Sequence, residues 1–240
     1  NEIGTLCRKR GVLFHTDTVQ AIGQMKFDLR NTDIDMLSLS GHKFHAPKGV
    51  GALYVRSGTQ LESLIHGGAQ ERGKRAGTEN VAGIAALGAA ITEAVENIPE
   101  RNARLTAMRD RLIDGILAEI PYTRLNGGRE QRSAGNVNVS FRGIEGESLV
   151  LALDISGIAA SSGSACASGS IDPSHVLTAI GLDEQTAKGS LRLTLGDCNT
   201  EEDIDYILEV LPATVKRLRS MSPMWQRICR EEGLTDYTVQ

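Results

Sequence analysis

Apolar and polar positions recur on two different periods along this chain. A helix-like opening ends in the basic Arg8-Lys9-Arg10, and Gly11-Val12-Leu13-Phe14-His15 then reads as a buried strand. Asp35-Met36-Leu37-Ser38-Leu39-Ser40 alternates polar with apolar side chains at the strand period of two, and residues 50–55 form a further strand candidate. Residues 78–97 are rich in alanine and carry few charges, which predicts a mostly buried helix with Thr78 as its cap. Pro99 marks a joint. Beyond it, residues 100–120 place Leu105, Met108, Leu112, Ile116 and Ile120 on one face of a charged amphipathic helix. Strands are expected at 122–125, 137–141 and 158–160, with a helix carrying Leu149, Val150 and Leu153 between the last two. Residues 161–170 form a loop of small side chains, and Leu191-Arg192-Leu193-Thr194-Leu195 alternates as a strand. Thr200, followed by Glu201, Glu202 and Asp203, predicts a capped helix whose apolar face runs from Ile204 to Leu218, with a kink at Pro212. Strands and helices in alternation argue for an α/β layer architecture, divided at the proline into residues 1–98 and 99–240.

Composition narrows the class. With 40% hydrophobic and 23% charged residues over 240 positions, the chain is an ordinary globular one, long enough for one large domain or two modest ones. Acidic residues outnumber basic ones by 30 to 26, a net charge of −4, so there is no electrostatic footprint for direct nucleic-acid or membrane binding. The longest apolar run, residues 81–91, is too short to span a bilayer, and no signal-peptide pattern opens the chain, which begins Asn1-Glu2-Ile3-Gly4 without a methionine. Cys7, Cys166, Cys198 and Cys229 are scattered at wide spacings with no C-x-x-C, which points to a reducing, cytoplasmic setting.

Several residues could carry chemistry, and each also has a plainer reading. Lys43 follows a strand-like run in Ser40-Gly41-His42-Lys43; it is either a solvated charge or an amine at a strand end, where α/β folds bind ligands and where it could form a Schiff base. Asp17 either caps a turn or holds a protonated ring nitrogen. Cys166, among Gly, Ser and Ala, is a thiol in a linker or a nucleophile on a mobile arm. Arg192 is a solvated strand residue or a fork for a substrate carboxylate. His42 and His45 have metal-like spacing but lack a second close ligand pair, so no metal is expected. The glycine-rich, basic stretch 67–78 could cap a helix with Thr78 or present a phosphate site, in this subunit or across an interface.

Six segments together resemble the C-terminal three-fifths of a group I cysteine desulfurase of the NifS/IscS type, within the class V aminotransferase superfamily. They are His15-Thr16-Asp17-Thr18-Val19-Gln20, Ser38-Leu39-Ser40-Gly41-His42-Lys43, His66-Gly67-Gly68, Glu71-Arg72-Gly73-Lys74-Arg75-Ala76-Gly77-Thr78, residues 161–168, and Leu191-Arg192-Leu193-Thr194-Leu195-Gly196, in the family's order. The resemblance implies a fold-type I transferase dependent on pyridoxal 5'-phosphate: the remainder of a large mixed or parallel-sheet domain, then a small α+β C-terminal domain. It implies that Lys43 holds the cofactor and later moves the substrate's α-proton. Asp17 would pair with the ring nitrogen, Gln20 with the phenolic oxygen, and Ser40, Gly41, His42 and a partner subunit's Thr78 with the phosphate. Arg192 would clamp the carboxylate of L-cysteine. Cys166 would take its sulfur as a persulfide, leaving alanine, and pass it to an acceptor or scaffold protein for iron–sulfur cluster assembly or tRNA thiolation. The family is homodimeric and needs about 160 further N-terminal residues, so the chain reads as an inactive, truncated fragment. The alternatives are another class V enzyme (an aminotransferase or a selenocysteine lyase), from which Cys166 separates a desulfurase since simple transamination needs no thiol, or a non-catalytic remnant serving as an interaction module, which expression with and without the missing N-terminal part would distinguish.

Overall fold

The computed structural model describes residues 1–163, 173–235 and 238, and these fall into two compact units, Asn1–Glu100 and Arg101–Gln240. In the first, helix α1 (Glu2–Lys9) ends in a Schellman motif. Gly11 takes φ 64°, its N–H donates to Arg8 O at 3.1 Å, and the Val12 N–H donates to Cys7 O at 3.0 Å. Val12 therefore belongs to the helix stop. The expected strand at 11–15 is corrected on this account: β1 spans only His15–Asp17, and Val12 and Leu13 are exposed.

β1 pairs in parallel with β2 (Met36–Ser40), and β3 (Gly51–Val55) runs antiparallel on the other side of β2. Asp17 lies opposite Ser38 in the register, so the carboxy ends of the two parallel strands lie at the same end of the sheet. A 3₁₀ turn (Gly41–Phe44) follows β2 directly and is ended by His45 in the left-handed region, φ 71°. Helix α2 (Val81–Val95) packs on that turn. A side chain at Gly41 would come within 2.9 Å of both Leu87 Cδ1 and Ala46 Cβ, so close packing alone requires glycine there. Two expectations fail on α2. Its cap is Asn80, whose Oδ1 accepts from the Gly83 N–H at 3.0 Å, leaving Thr78 outside the helix. Nor is it mostly buried, because only Gly83 is fully covered while Val81, Ile84 and Val95 are exposed.

In the second unit α3 (Ile98–Glu119, whose first turn holds Pro99, where no N–H partner is needed) lays Leu105, Met108, Leu112, Ile113 and Ile116 into the core, with Ile120 just beyond its end. Its sheet has the order β4 (Thr123–Leu125), β5 (Asn136–Phe141), β7 (Ser190–Thr194), β6 (Ser161–Ser162), antiparallel throughout. Val137, Val139, Phe141, Leu191 and Leu193 point to one face and join α3, α4 (Gly146–Ile155) and α7 (Glu201–Ser220) in a single apolar core. The strand expected at 158–160 is a second Schellman stop: Gly157 at φ 77° closes α4, the Ile158 N–H donates to Leu153 O at 3.0 Å, and pairing begins only at Ser161. α5 (His175–Ala179) and α6 (Glu184–Lys188) precede β7, and α8 (Pro223–Glu232) follows α7. α7 runs through Pro212 as one element.

Thr200 caps α7 in a complete capping box. The Thr200 N–H donates to Asp203 Oδ2 at 3.0 Å, and the Asp203 N–H donates to Thr200 Oγ1 at 3.4 Å. That backbone N–H holds the Asp203 carboxyl below its ordinary pKa; the charged form is the one that caps, so its contribution is present at neutral pH and fades as acidification protonates it. Thr200→Ala should cost about 1 kcal/mol of stability, read from urea unfolding, and a change within error would mean that Asp203 carries the cap alone.

Candidate functional site

The chemistry-bearing residues of the first unit gather at the carboxy end of its parallel strands. Asp17 ends β1, Ser40 ends β2, and His42 and Lys43 stand exposed on the 3₁₀ turn that follows. This is the end of an open α/β sheet where ligands bind, because the strands stop and the following turns diverge. Local hydrogen bonds hold two of these side chains in place. Asp17 Oδ1 accepts from the Val19 N–H at 2.8 Å, and Ser40 Oγ lies 2.8 Å from His42 Nδ1. The Asp17 contact is the turn-capping bond of the plainer reading, and it leaves Oδ2 available. Gln20 is exposed on the turn after β1. Among the described residues neither Asp17 nor Lys43 makes an ion pair.

Thr78 lies exposed in the stretch before α2. That stretch carries the strongest backbone irregularity of the unit: Glu71 and Arg72 are both left-handed, at φ 51° and 57°, followed by Gly73 at 75°. Side chains with a Cβ adopt that region at a cost of roughly 1–2 kcal/mol each. In the second unit Arg192 is half-buried on β7, facing away from the apolar core, with Asn138 of β5 on one side of it and Ser161 of β6 on the other. Its Nε is buried without a hydrogen-bond partner among the described residues. Cys166 lies outside the described residues.

The sequence reading overlooked what surrounds Arg192. The side chains of Asn126, Asn138 and Ser140 form one hydrogen-bonded cluster, with Asn126 Nδ2 donating to Asn138 Oδ1 at 2.7 Å and to Ser140 Oγ at 2.8 Å. The signal was there in the strand period: Asn136, Asn138 and Ser140 alternate with Val137, Val139 and Phe141, so the second face of β5 is wholly polar.

Residues 1–207 match the aminotransferase class-V family, and the chain belongs to it. It is 60% identical over 227 residues to the cysteine desulfurase IscS of Clostridium botulinum, covering 94% of this chain and 57% of that one. It is 48% identical over 224 residues to the cysteine desulfurase NifS of Azotobacter vinelandii, covering 93% and 56% respectively. A solved NifS-like protein superposes with a TM-score of 0.80 at 36% identity over 89% of this chain and 55% of that structure, which makes the fold the α/β type I architecture of pyridoxal-phosphate enzymes. The chain thus spans a little over half the length of the relatives it matches.

The family works with pyridoxal 5'-phosphate, and the donor set at the strand ends suits that group. An amine at Lys43 answers an aldehyde, a carboxylate at Asp17 answers a protonated pyridine, and the Ser40 hydroxyl with the His42 imidazole answers a phosphate. The glycine at position 41 is accounted for by packing against Leu87 and Ala46.

Proposed function

We propose that the protein is a cysteine desulfurase, taking sulfur from L-cysteine and releasing L-alanine. The observation that carries this is the 60% identity to an IscS desulfurase over 227 residues, a stretch long enough to take in nearly all of this chain. Pyridoxal phosphate, when bound, supplies an electron sink for the substrate carbon. The chain's own residues divide the rest of the work. Lys43 Nζ would attach the cofactor and would carry the substrate's α-proton. Asp17 would present its carboxylate to the ring nitrogen. Ser40, Gly41 and His42 receive the phosphate, joined by Thr78 of a partner copy in a homodimer. Gln20 meets the phenolic oxygen, and the Arg192 fork takes the substrate carboxylate.

The Cys166 thiolate then attacks the substrate sulfur. A sulfur–sulfur bond forms and the substrate's Cβ–S bond breaks. Its electron pair stays with carbon, which takes up a proton and leaves as alanine. The sulfur remains on Cys166 as a persulfide, for transfer to a thiol-bearing acceptor or a cluster scaffold in the cytoplasm. The test is to express the whole encoded protein and load it with pyridoxal phosphate; one portion is reduced with borohydride and its modified peptide mapped, and an unreduced portion is assayed for alanine release from L-cysteine with dithiothreitol present to reduce the persulfide to sulfide. Label at Lys43 together with stoichiometric alanine and sulfide supports the reading. Label elsewhere, or amino transfer to a keto acid with no sulfur released, overturns it. Lys43→Ala should abolish the label.

A further inference from the structure

We infer that Asn138, held in place by Asn126, is a second reader of the substrate carboxylate beside Arg192; this rests on the desulfurase reading and extends its binding site. The second unit's sheet has one apolar face and one polar face. Asn126, Asn138, Arg192 and Ser161 form a single row across the polar face, one residue from or beside each strand in the order β4, β5, β7, β6. Directly opposed residues on neighbouring antiparallel strands bring their Cβ atoms to about 4.5–5.5 Å, so the side chains of Asn138 and Arg192 are immediate neighbours.

The polar face is incompletely satisfied. Asn126 is 4% exposed and Ser190 1%, yet Asn126 Oδ1, Ser190 Oγ and Arg192 Nε are buried with no partner among the described residues. Buried polar atoms are rarely left this way, so each of these calls for a partner that the described residues do not supply. No carboxylate among the described residues pairs with Arg192 either. An anion is what a guanidinium in that setting lacks.

Asn138 is arranged to help hold one. Its Oδ1 is occupied by Asn126 Nδ2 at 2.7 Å, on the β4 side. A planar amide with its oxygen committed to one flank offers its NH2 to the other, and on that flank stands Arg192. Exposure along the face grades from the buried Ser140 and Ser190, through the half-buried Asn138 and Arg192, to the exposed Thr194, so the row opens toward solvent where these two donors stand. The guanidinium supplies charge and the Asn138 amide a neutral donor, and together they fit the two oxygens of a carboxylate.

Binding of the reaction product tests this without turnover. The whole encoded protein, loaded with pyridoxal phosphate, is titrated with L-alanine and with ethylamine, its analogue without a carboxylate, following the cofactor's absorbance. Asn138→Ala should weaken L-alanine by about tenfold, the worth of one hydrogen bond, and leave ethylamine unchanged. Asn138→Asp has the same size and keeps the acceptor for Asn126, so packing is preserved. Its charge faces both Arg192 and the ligand, and L-alanine should weaken by more than about a hundredfold. Equal losses for both ligands would make Asn138 a packing residue and overturn the proposal. Intact binding in both Asn138 variants with weakened L-alanine in Arg192→Lys would overturn it and leave the function standing. Undiminished L-alanine binding in Arg192→Lys as well would remove the carboxylate site from this face and both readings with it.

Discussion

Arg219→Met should destabilise the second unit by about 3–5 kcal/mol, among the largest losses any single substitution in this chain would cause. Arg219 is completely buried near the end of α7. Its Nε donates to Arg142 O at 2.9 Å, and its two terminal nitrogens donate to Pro121 O at 2.7 Å and Tyr122 O at 3.2 Å. The guanidinium carbon lies 4.5 Å from the centroid of the Trp225 ring, which also packs against Tyr122 with ring centroids 5.3 Å apart. One side chain thus joins α7, α8, the turn before β4 and the turn after β5. Methionine fills the volume and stacks on the indole, but it leaves the carbonyls of Arg142 and Pro121 without their donor, each costing about 1–3 kcal/mol where dry, while Tyr122 O keeps the Arg142 N–H at 3.2 Å. Arg219→Lys keeps the charge and loses the fork, so an intermediate loss is expected. Trp225 is the chain's only tryptophan and is fully buried here, so its fluorescence during urea unfolding reports this unit directly. A loss below about 1 kcal/mol in the Met variant would mean that the stacking, and not the carbonyl bonds, holds this corner together.

Cys166→Ser should eliminate the persulfide and sustained alanine formation while leaving the cofactor's response to L-cysteine intact. Serine differs by one atom, but its hydroxyl is scarcely ionised at neutral pH and does not attack sulfur. The proposed function assigns the cofactor to Lys43, Asp17 and the phosphate donors of the first unit and not to the thiol, so on that proposal binding and turnover should separate cleanly. The measurement pairs absorbance on adding L-cysteine with mass spectrometry of the protein for one added sulfur atom. Unchanged turnover in this variant would exclude Cys166 as the sulfur carrier.

The elements that sequence reading located best are those whose period and burial agree. The α3 face of Leu105, Met108, Leu112, Ile116 and Ile120 is fully buried, and the alternating β7 puts Leu191 and Leu193 inside with Arg192 on the opposite face. The errors share a mechanism. At Gly11-Val12 and again at Gly157-Ile158, an apolar residue after glycine looks like the start of a strand. In both places it supplies the sixth N–H of a Schellman stop, and the same arrangement recurs at Gly181-Leu182, where the Leu182 N–H donates to Leu177 O at 3.1 Å. Those bonds reach back five residues, and hydrophobic periodicity carries no trace of them. For α2, Thr78 and Asn80 are both competent caps, and the choice fell to Asn80 because it alone immediately precedes the first helical residue. At the candidate site, Lys43 and Asp17 stood out by residue type and strand-end position, and Arg192 by its place on the polar face of an alternating strand. The Asn126–Asn138 pair did not, because it depends on two strands meeting in register 12 residues apart.

The two-faced character of β5 has a consequence for how this sheet assembles. Val137, Val139 and Phe141 are each 0% exposed, while Asn136, Asn138 and Ser140 occupy the other face. Sliding β5 by one residue against β7 would exchange the two sets, turning three large apolar side chains out of the core and two amides and a hydroxyl into it. At about 1.5–3 kcal/mol for each apolar side chain expelled, the shifted pairing lies on the order of 5–9 kcal/mol above the native one before the stranded polar groups are counted. A misaligned β5–β7 pairing formed early in folding would therefore find no core to settle into, and would come apart and re-pair until Asn138 again stands beside Arg192.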